Sequence, residues 1–390
     1  MTKHYLDIDV VNRTNASMLY VHVTGRRLQN EEPYRDLGPM MMKADGQTPH
    51  MLTSGGAIHT LVTVDHGIRV GGPGARKRVR IPRLAGGRIY FSMGRPLKFY
   101  VNPSPDGPAL VEPSSLNKGD VNYNGHWSFA ELTFNAAQVY ANVSYVDFLS
   151  IPIALHLTND TGRDQEVRGI PWGGVTRIAE GLEKLGGAWK KLVVRSPSGS
   201  IIRILSMNSG YELYPDLFKN FFRQYIDEVW KHYERVDLLV DTKPGWGTFT
   251  GRVRGGQFQF TGKFSFDFEK PTTRDVFTCN TGPFGVRKPR DEREEARLAV
   301  GARISAALNR GTLLINNKQP RNEKVSTYYE HRPINHYSKI VHSVSDENRG
   351  YTFPYDDVCP DGQPDQSGFV NGGNPKVLKV TVGGFRRGKL

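Results

Sequence analysis

Apolar and polar residues alternate in short segments through the first 160 residues of the chain. Examples are "YLDIDVVN", "SMLYVHVTG", "KRVRIPRL" and "GRIYFSMG", and clusters of Gly, Pro and Asn separate them. A period of two places every second side chain on the same face of a strand, so each segment is typical of a strand with one buried face. The pattern predicts an antiparallel β-sandwich or barrel.

The period changes after about residue 165. Apolar residues recur at helical spacing in "GGVTRIAEGLEKL" and in "YPDLFKNFFRQYIDEVWKHYERV", and "DEREEARLAVGARISAALNRG" begins acidic and ends before a glycine. Each of these segments predicts a helix. A series of strands that turns at Gly255–Gly256 lies between the last two, and β-patterned segments, "RGYTFPYDDV" and "KVLKVTVGGF", return near the end. The expected fold class is mainly β with an α+β part.

This order of elements predicts two structural units. A chain of 390 residues is too long for one ordinary core. The simplest organisation is a β domain begun by residues 1–162, a mixed α/β domain inserted as residues 163–344, and C-terminal strands in residues 345–390 that complete the β domain.

Composition excludes some classes of protein. No apolar run approaches the roughly 20 residues that cross a bilayer, so no membrane association is expected. The first residues alternate like a strand and contain no signal-peptide h-region, which leaves a cytosolic protein or a mature secreted one. Cys279 and Cys359 are too few for a disulfide framework, and composition leaves open whether they pair.

The chain is basic, with 52 Lys and Arg against 39 Asp and Glu. A nucleic-acid partner is one explanation for such an excess. The densest basic segment, "GARKRVRIPR", alternates, however, so that Arg76, Arg78 and Arg80 share one face of a strand. Because no zinc-ligand spacing, RNA-binding aromatic cluster or basic helix accompanies it, we interpret the segment as a solvated strand face and expect no nucleic-acid partner.

Two carboxylates occur within a long run of strand formers. The segment "SFAELTFNAAQVYANVSYVDFLSIPIAL", residues 128–155, contains Glu131 and Asp147 as its charged side chains. If both reach one cleft, they satisfy the minimum requirement for glycoside hydrolysis, since one acid protonates the leaving oxygen while a carboxylate activates water or attacks the sugar. The alternative is two ordinary hydrogen-bonded surface acids.

Alternation along the first strand of this segment puts aromatic and polar side chains on the face of Glu131. They are Trp127, Phe129, Thr133 and Asn135, a composition suited to stacking on sugar rings and to binding hydroxyl groups. This face is therefore the predicted sugar-binding face.

A second strand, "VYANVSYV", is expected to form a hairpin with the first. Tyr140, Asn142 and Ser144 then lie on the same face as the first carboxylate. Asp147 has the wrong parity for that face on a regular strand. It joins the site only if the chain bulges or leaves the strand near Tyr145–Val146.

These motifs resemble those of the glycoside hydrolase family 64 β-1,3-glucanases, of laminaripentaose-producing type, whose barrel is related to thaumatin-like proteins. The shared pattern is E-x-T-x-N, then N-V-S/T-x-V-D, then a hydrophobic I-P. "RIPRLAGGRIYFSMGRPL", "INHYSKIVHS" and "RGYTFPYDDV…GGNPKVLKVTVGGF" also match, in the same order. The resemblance implies a thaumatin-like β-barrel with an inserted α/β domain and a wide groove between them for a polysaccharide.

The resemblance also implies roles for individual residues. Glu131 matches the general acid and Asp147 the general base of an inverting mechanism, with a raised pKa at Glu131 from its aromatic neighbours and an ionised Asp147. Substrate contacts are implied for Thr133, Asn135, Tyr140, Asn142, Ser144, Asp356 and Asp357. For the last two, an equally weighted alternative is a turn acid that caps the loop between Pro354 and Pro360.

The expected function is that of a secreted, monomeric endo-β-1,3-glucanase that cuts laminarin-like glucan into short oligosaccharides, pentaose in the family. No cofactor or metal is expected, because an acid, a base and water suffice, and His126 and His156 have no companions at metal-ligand spacing. The alternative is a non-catalytic glucan-binding or defence protein on the same scaffold, in which the two carboxylates contact sugar without turnover.

Overall fold

The computed structural model describes residues 3–30, 35–162, 164–243, 245–363 and 366–385. In chain order its strands are β1 (Tyr5–Asn12), β2 (Leu19–Leu28), β3 (Asp36–Met42), β4 (Pro49–Met51), β5 (Thr60–Leu61), β6 (Ile68–Gly71), β7 (Arg76–Pro82), β8 (Leu84–Met93), β9 (Tyr100–Ser104), β10 (Gly107–Val111), β11 (Trp127–Phe134), β12 (Val139–Val143), β13 (Phe148–Leu149), β14 (Ile153–Asn159), β15 (Asp164–Val167), β16 (Val193–Arg195), β17 (Ile201–Leu205), β18 (Leu238–Asp241), β19 (Thr248–Arg254), β20 (Gln257–Thr261), β21 (Ser265–Phe268), β22 (Lys318–Gln319), β23 (Phe369–Gly372) and β24 (Pro375–Val382).

The α-helices lie in the middle of the chain. They are α1 (Gly174–Leu185), α2 (Met207–Leu213), α3 (Pro215–Phe218), α4 (Arg223–His232), α5 (Thr273–Thr278), α6 (Glu292–Arg310) and α7 (His336–Val344). Short 3-10 turns occur at Trp189–Leu192, Gly282–Phe284, Val325–Thr327 and Asp346–Asn348. Within the described ranges, no helix has both the length and the apolar character that crossing a bilayer requires.

The described residues form five sheets, and two of these contain most of the strands from the two ends of the chain. One has the strand order β15-β14-β24-β1-β7, and the other runs β23-β12-β11-β8-β2-β3-β4, with β6 also paired to β2. Apolar side chains from both sheets belong to one hydrophobic core, to which Ile8, Leu132 and Leu378 contribute. Burying one face of each alternating strand is what stabilises such a pair of sheets. The mainly β class is therefore confirmed.

Strands near the end of the chain pair with strands near its beginning. β24 lies parallel to β1 on one side and antiparallel to β14 on the other, and β23 is antiparallel to β12. Of the two β-patterned segments predicted there, "KVLKVTVGGF" forms β24.

The other segment, "RGYTFPYDDV", is not a strand, and that prediction is wrong. It makes one isolated bridge, between Tyr351 and Ser144, and then turns. The turn is fixed by Asp356, whose carboxylate accepts hydrogen bonds from the backbone N–H of Thr352 at 3.0 Å and from its hydroxyl at 2.8 Å. Side-chain bonds of this kind compete with pairing in a sheet.

Most of the helical pattern is confirmed. α1 and α6 occupy the predicted segments, and α6 ends at Gly311, which has a φ of 75°. The strand series turns at Gly255 and Gly256, both at positive φ, as expected for a tight hairpin. "YPDLFKNFFRQYIDEVWKHYERV" is two helices, α3 and α4, separated by a turn at residues 219–222, so the single helix predicted there is wrong. The turn leaves Leu217 47% exposed.

The basic segment is a solvated strand face, as predicted. On β7, Arg78 forms a bidentate ion pair with Asp9 of β1, at 2.7 and 2.8 Å, and Arg80 forms one with Asp7, at 2.7 and 3.0 Å. These arginines lie directly opposite their partners in the register, so much of the local charge is neutralised within the sheet. No disulfide joins Cys279, which is buried, to Cys359, which is partly exposed, and this answers the question of pairing that composition left open.

Candidate active site

The hairpin of β11 and β12 brings the predicted site residues onto one sheet face. Glu131 lies opposite Asn142 on β12 and opposite Arg88 on β8, and Thr133 lies opposite Tyr140. Partners directly opposite each other point to the same side of a sheet. The predicted placement of Tyr140 and Asn142 on the face of Glu131 is therefore confirmed.

The chain leaves this sheet before it reaches Asp147. β12 ends at Val143, and the backbone bends at residues 146 and 147. The next two residues form β13, which pairs with β17, and the backbone N–H of Ser206 donates to the carbonyl of Asp147 at 3.1 Å. The departure from the strand that Asp147 needs to approach Glu131 is thus present, and an element from the middle of the chain holds it there.

Burial raises the pKa of Glu131 above its ordinary value. Arg88 opposes this rise, since its Nη2 lies 3.6 Å from Oε1 of Glu131, but the negative charges of Asp147 and Glu112 add to it. The direction predicted for Glu131 is confirmed. The rise in pKa comes from burial together with neighbouring carboxylates, and not from the aromatic neighbours that the sequence analysis names as its cause.

Burial also raises the pKa of Asp147, with Arg88 opposing the rise and Glu112 adding to it. This rise was not predicted. Because the charge of Asp147 adds to the rise in the pKa of Glu131, the two carboxyl groups are electrostatically coupled.

Arg88 and Glu112 complete the cluster, and the sequence interpretation missed both. Arg88 donates from Nη1 to Oε2 of Glu112 at 2.6 Å, and its guanidinium lies 4.7 Å from the ring centroid of Phe129. The hydroxyl of Thr24 donates to the other oxygen of Glu112 at 3.4 Å. In "GGRIYFSM" the alternation of apolar residues puts Arg88 on the polar face of its strand, and this pattern could have pointed to it. Glu112 follows β10, in a separate three-stranded sheet, and no sequence pattern points to it.

The predicted substrate-contacting residues differ in exposure and in the contacts that their side chains already make. Thr133 and Tyr140 are half-buried, and the Tyr140 ring stacks on Phe369 with centroids 5.1 Å apart. Asn142 is 9% exposed, and its side-chain oxygen has no hydrogen-bond partner among the described residues. The Asn135 side-chain oxygen instead accepts from the backbone N–H groups of residues 137 and 138, each at 2.9 Å, which closes the hairpin turn. Ser144 is buried at the bridge to residue 351.

Two aromatic residues on the Glu131 strand cannot stack on a sugar. Trp127 is 2% exposed and Phe129 is 5% exposed. Phe148 packs edge-on against Trp127 at 4.7 Å, and the buried guanidinium of Arg203 lies 5.5 Å from the same ring. The sequence interpretation of these rings as sugar-gripping is therefore wrong, because elements distant in sequence cover them.

Asp356 and Asp357 have opposite environments. Asp356 is fully buried, with the Nε2 of His342 at 3.0 Å and the Nη2 of Arg310 at 3.2 Å from its carboxylate. Burial works to raise its pKa, but the neighbouring His342 and Arg310 side chains and the hydrogen bond from the Thr352 backbone outweigh burial and hold the pKa below its usual value. The expectation that Asp356 contacts substrate is wrong, because it is a turn acid. Asp357 is exposed and accepts a hydrogen bond from the Tyr351 hydroxyl.

The described residues contain no group of three or more His, Cys, Asp or Glu side chains arranged to hold a metal ion. The arrangement observed is instead a mainly β fold in which Glu131, on a polar sheet face, is coupled to Asp147 in the bend that follows the sheet. Glycoside hydrolases use a pair of carboxyl groups. The chain belongs to glycoside hydrolase family 64, the β-1,3-glucanases, since the family profile matches residues 4–382.

Curated relatives carry a consistent name. The chain is 29% identical over 313 residues to glucan endo-1,3-β-glucosidases from Cellulosimicrobium cellulans and from Arthrobacter sp. (strain YCWD3). Each match covers 79% of this chain and 54% of the relative. The chain thus spans about half the length of the curated relatives it matches.

Solved structures share the fold over nearly the whole chain. A laminaripentaose-producing β-1,3-glucanase in complex with laminaritetraose superposes with a TM-score of 0.83 at 27% identity, covering 97% of this chain and 98% of the other. A family 64 β-1,3-glucanase domain from Clostridium beijerinckii superposes with a TM-score of 0.74 at 22% identity, with the same coverage.

Proposed function

We propose that this protein is an endo-acting β-1,3-glucanase that hydrolyses laminarin-like glucan to short oligosaccharides of the laminaripentaose type. The observation that carries the proposal is the electrostatic coupling of two carboxyl groups, that of Glu131 on the polar face of the sheet and that of Asp147 in the bend beside it. Family membership supports the substrate class, and the solved relative that gives laminaripentaose supports the product class.

In the proposed inverting reaction Glu131 is the general acid and Asp147 the general base. Protonated Glu131 donates to the glycosidic oxygen as the bond from that oxygen to the anomeric carbon breaks. Asp147 accepts a proton from the water whose oxygen attacks the same carbon from the opposite face. Each turnover leaves Glu131 ionised and Asp147 protonated, and proton exchange with solvent restores both. Inversion needs a carboxyl separation of about 6.5–9.5 Å to seat that water.

Sugar binding is proposed for the open part of the same face. Asn142 is proposed as a contact only through the small part of its side chain that is exposed, since its side-chain oxygen is itself buried. Tyr140 and Phe369 form a stacked aromatic pair on which a pyranose ring can lie. Thr133 and Asp357 are proposed as further hydroxyl contacts, whereas Ser144 is buried and the expectation that it contacts sugar is wrong.

We also propose a thaumatin-like β-barrel built from residues 1–162 and 345–390, with residues 163–344 as an inserted domain and the substrate groove between the two. β15 pairs with β14 and so belongs to the barrel, which puts the start of the inserted domain after Val167. The pairing of β23 and β24 with β12, β1 and β14 supports this division, and so does the contact of Ser206 with Asp147. Because the proposed substrate is a polysaccharide, we propose that the protein acts outside the cell. We also propose that it acts as a monomer.

Product analysis on laminarin tests the proposal. We expect a narrow oligosaccharide band whose new reducing ends have the inverted anomeric configuration by proton NMR immediately after cleavage. Glu131→Gln and Asp147→Asn are expected to bind glucan and to lose about 10²–10⁴-fold in kcat. Glucan binding by the wild type without any release of reducing ends would instead identify a non-catalytic glucan-binding protein.

A further inference from the structure

One cation acts on both proposed catalytic carboxyl groups. Among the described residues, Arg88 is the positive side chain that opposes the rise in pKa of Glu131 and of Asp147. The Arg88 guanidinium lies closer to one carboxylate than to the other: Nη1 is 2.6 Å from Glu112, and Nη2 is 3.6 Å from Glu131. The first contact is a charge-assisted hydrogen bond, and the second is too long to be one.

Several contacts fix the guanidinium in this position. It lies over the ring of Phe129, and the hydroxyl of Tyr90 is 3.4 Å from Nη1. Glu112 in turn accepts a hydrogen bond from Thr24, so its carboxylate is oriented as well. Three strands and the end of β10 therefore contribute to holding one arginine side chain.

We infer that Glu112 is a positioning residue that acts through Arg88: it anchors the guanidinium so that the cation stays beside Glu131 without forming a close ion pair with it. The inference rests on the proposed role of Glu131 as general acid. A carboxylic acid that must give up its proton to a glycosidic oxygen cannot also be a tight partner of an arginine, because that pair favours the carboxylate. Glu112 keeps Arg88 occupied and leaves the proton on Glu131.

The geometry requires both partners. A guanidinium presents nitrogens in a planar fork, so one side chain can bond Glu112 and still reach Glu131. A lysine ammonium at the end of a flexible stem cannot keep this unequal arrangement. If Glu112 is made neutral, the nearest carboxylate left to Arg88 is Glu131, and closing the 3.6 Å gap takes a small movement.

The test compares Glu112→Gln with Glu112→Asp, which keeps the charge, and with Asp7→Asn, which removes an arginine-paired carboxylate from the other sheet. Among the residues that the structure describes, the charged groups acting on Glu131 are Arg88, Glu112 and Asp147, so Glu112→Gln changes one of three. For Glu112→Gln we expect the alkaline limb of the pH profile of kcat/KM to move about one pH unit lower. This is a tenfold loss of kcat/KM on that limb, and KM should change little. Glu112→Asp should restore part of the shift, and Asp7→Asn should show none.

Carbon-13 NMR titration of the Glu131 carboxyl, assigned by its loss in Glu131→Gln, gives a readout independent of activity. We expect its titration midpoint to fall in Glu112→Gln while the melting temperature stays within a few degrees of wild type. An unchanged midpoint in a folded Glu112→Gln protein overturns the inference. A wild type that never cleaves glucan but shows the midpoint shift removes the proposed hydrolysis and leaves the positioning effect standing.

Discussion

The guanidinium of Arg88 lies 3.6 Å from the carboxylate of Glu131, across the antiparallel pair of β8 and β11. Together with Glu112 and Asp147, they form a cluster of three carboxyl groups around one cation. Full ionisation gives this cluster a net charge of −2 in a partly buried place, so retention of a proton is favoured. The predictions below follow from that charge imbalance and from the burial of neighbouring residues.

The pH dependence of catalysis should report the two raised pKa values. The proposed mechanism requires Glu131 protonated and Asp147 ionised, so kcat/KM should rise as Asp147 ionises and fall as Glu131 ionises. Because both pKa values are raised, each limb should lie at higher pH than for an exposed aspartate or glutamate. Initial rates on laminarin between pH 3 and 9 measure this. An alkaline limb at the pH of an ordinary glutamate would falsify the assignment of Glu131.

Asp147→Asn should stabilise the fold while abolishing activity. A carboxyl group whose folded pKa is raised destabilises the folded state wherever it is ionised, above that pKa, and the cost disappears below its unfolded pKa of about 3.9. The variant should therefore melt at a higher temperature than wild type at pH 7, and the difference should shrink as pH falls. Differential scanning calorimetry of the two proteins at pH 7 and at a pH below about 3.9 measures the difference in melting temperature. A lower melting temperature at pH 7 contradicts the electrostatic account.

Asp356 and Asp357 should respond in opposite ways to the same change. Asp356→Ala removes the carboxylate that contacts both Arg310 and His342 and leaves buried Arg310 with only the longer contact to Glu323, at 3.8 Å. We expect a loss of about 3–5 kcal/mol in the free energy of unfolding. Asp357→Ala removes an exposed carboxylate and should cost less than about 1 kcal/mol. Its effect should be on KM for laminarin. Urea denaturation and initial rates separate the two, and equal destabilisation contradicts the assignment.

Tyr140 should contribute to substrate affinity through its exposed ring surface. Tyr140→Ala removes stacking worth about 0.5–1.5 kcal/mol, so KM should rise roughly two- to tenfold with a smaller change in kcat. Tyr140→Trp enlarges the ring and should keep or lower KM. Leu217→Ala changes an exposed apolar residue on α3 and serves as the control. An unchanged KM in Tyr140→Ala places the glucan elsewhere on the face.

The alternation of apolar and polar residues was enough to predict the strands and the sheet face that carries Glu131. The period of two put Glu131, Tyr140 and Asn142 on one face, and the register of β11 with β12 confirms it. Parity also showed that Asp147 needs a break in the strand, and the bend at residues 146 and 147 provides it. These results depend on side-chain direction along a strand, which is a property of consecutive residues.

Long-range packing decided what alternation left open. Arg203 and Phe148 cover Trp127, so a face predicted to be open is closed at one end. His342 and Arg310 surround Asp356, although its neighbour Asp357 is exposed. Adjacent residues with the same side chain have the same local pattern, so no local rule separates them.

The sequence by itself determined the β class, the main helices and the strand face that carries Glu131, because these follow from the period of apolar residues over a few positions. Only the tertiary structure brought Glu112, 19 positions before Glu131, and Arg88, on a neighbouring strand, into one charge cluster. The reason is physical: the pKa of a carboxyl group depends on burial and on charges within a few ångströms, and those neighbours come from segments that meet only when the sheets assemble.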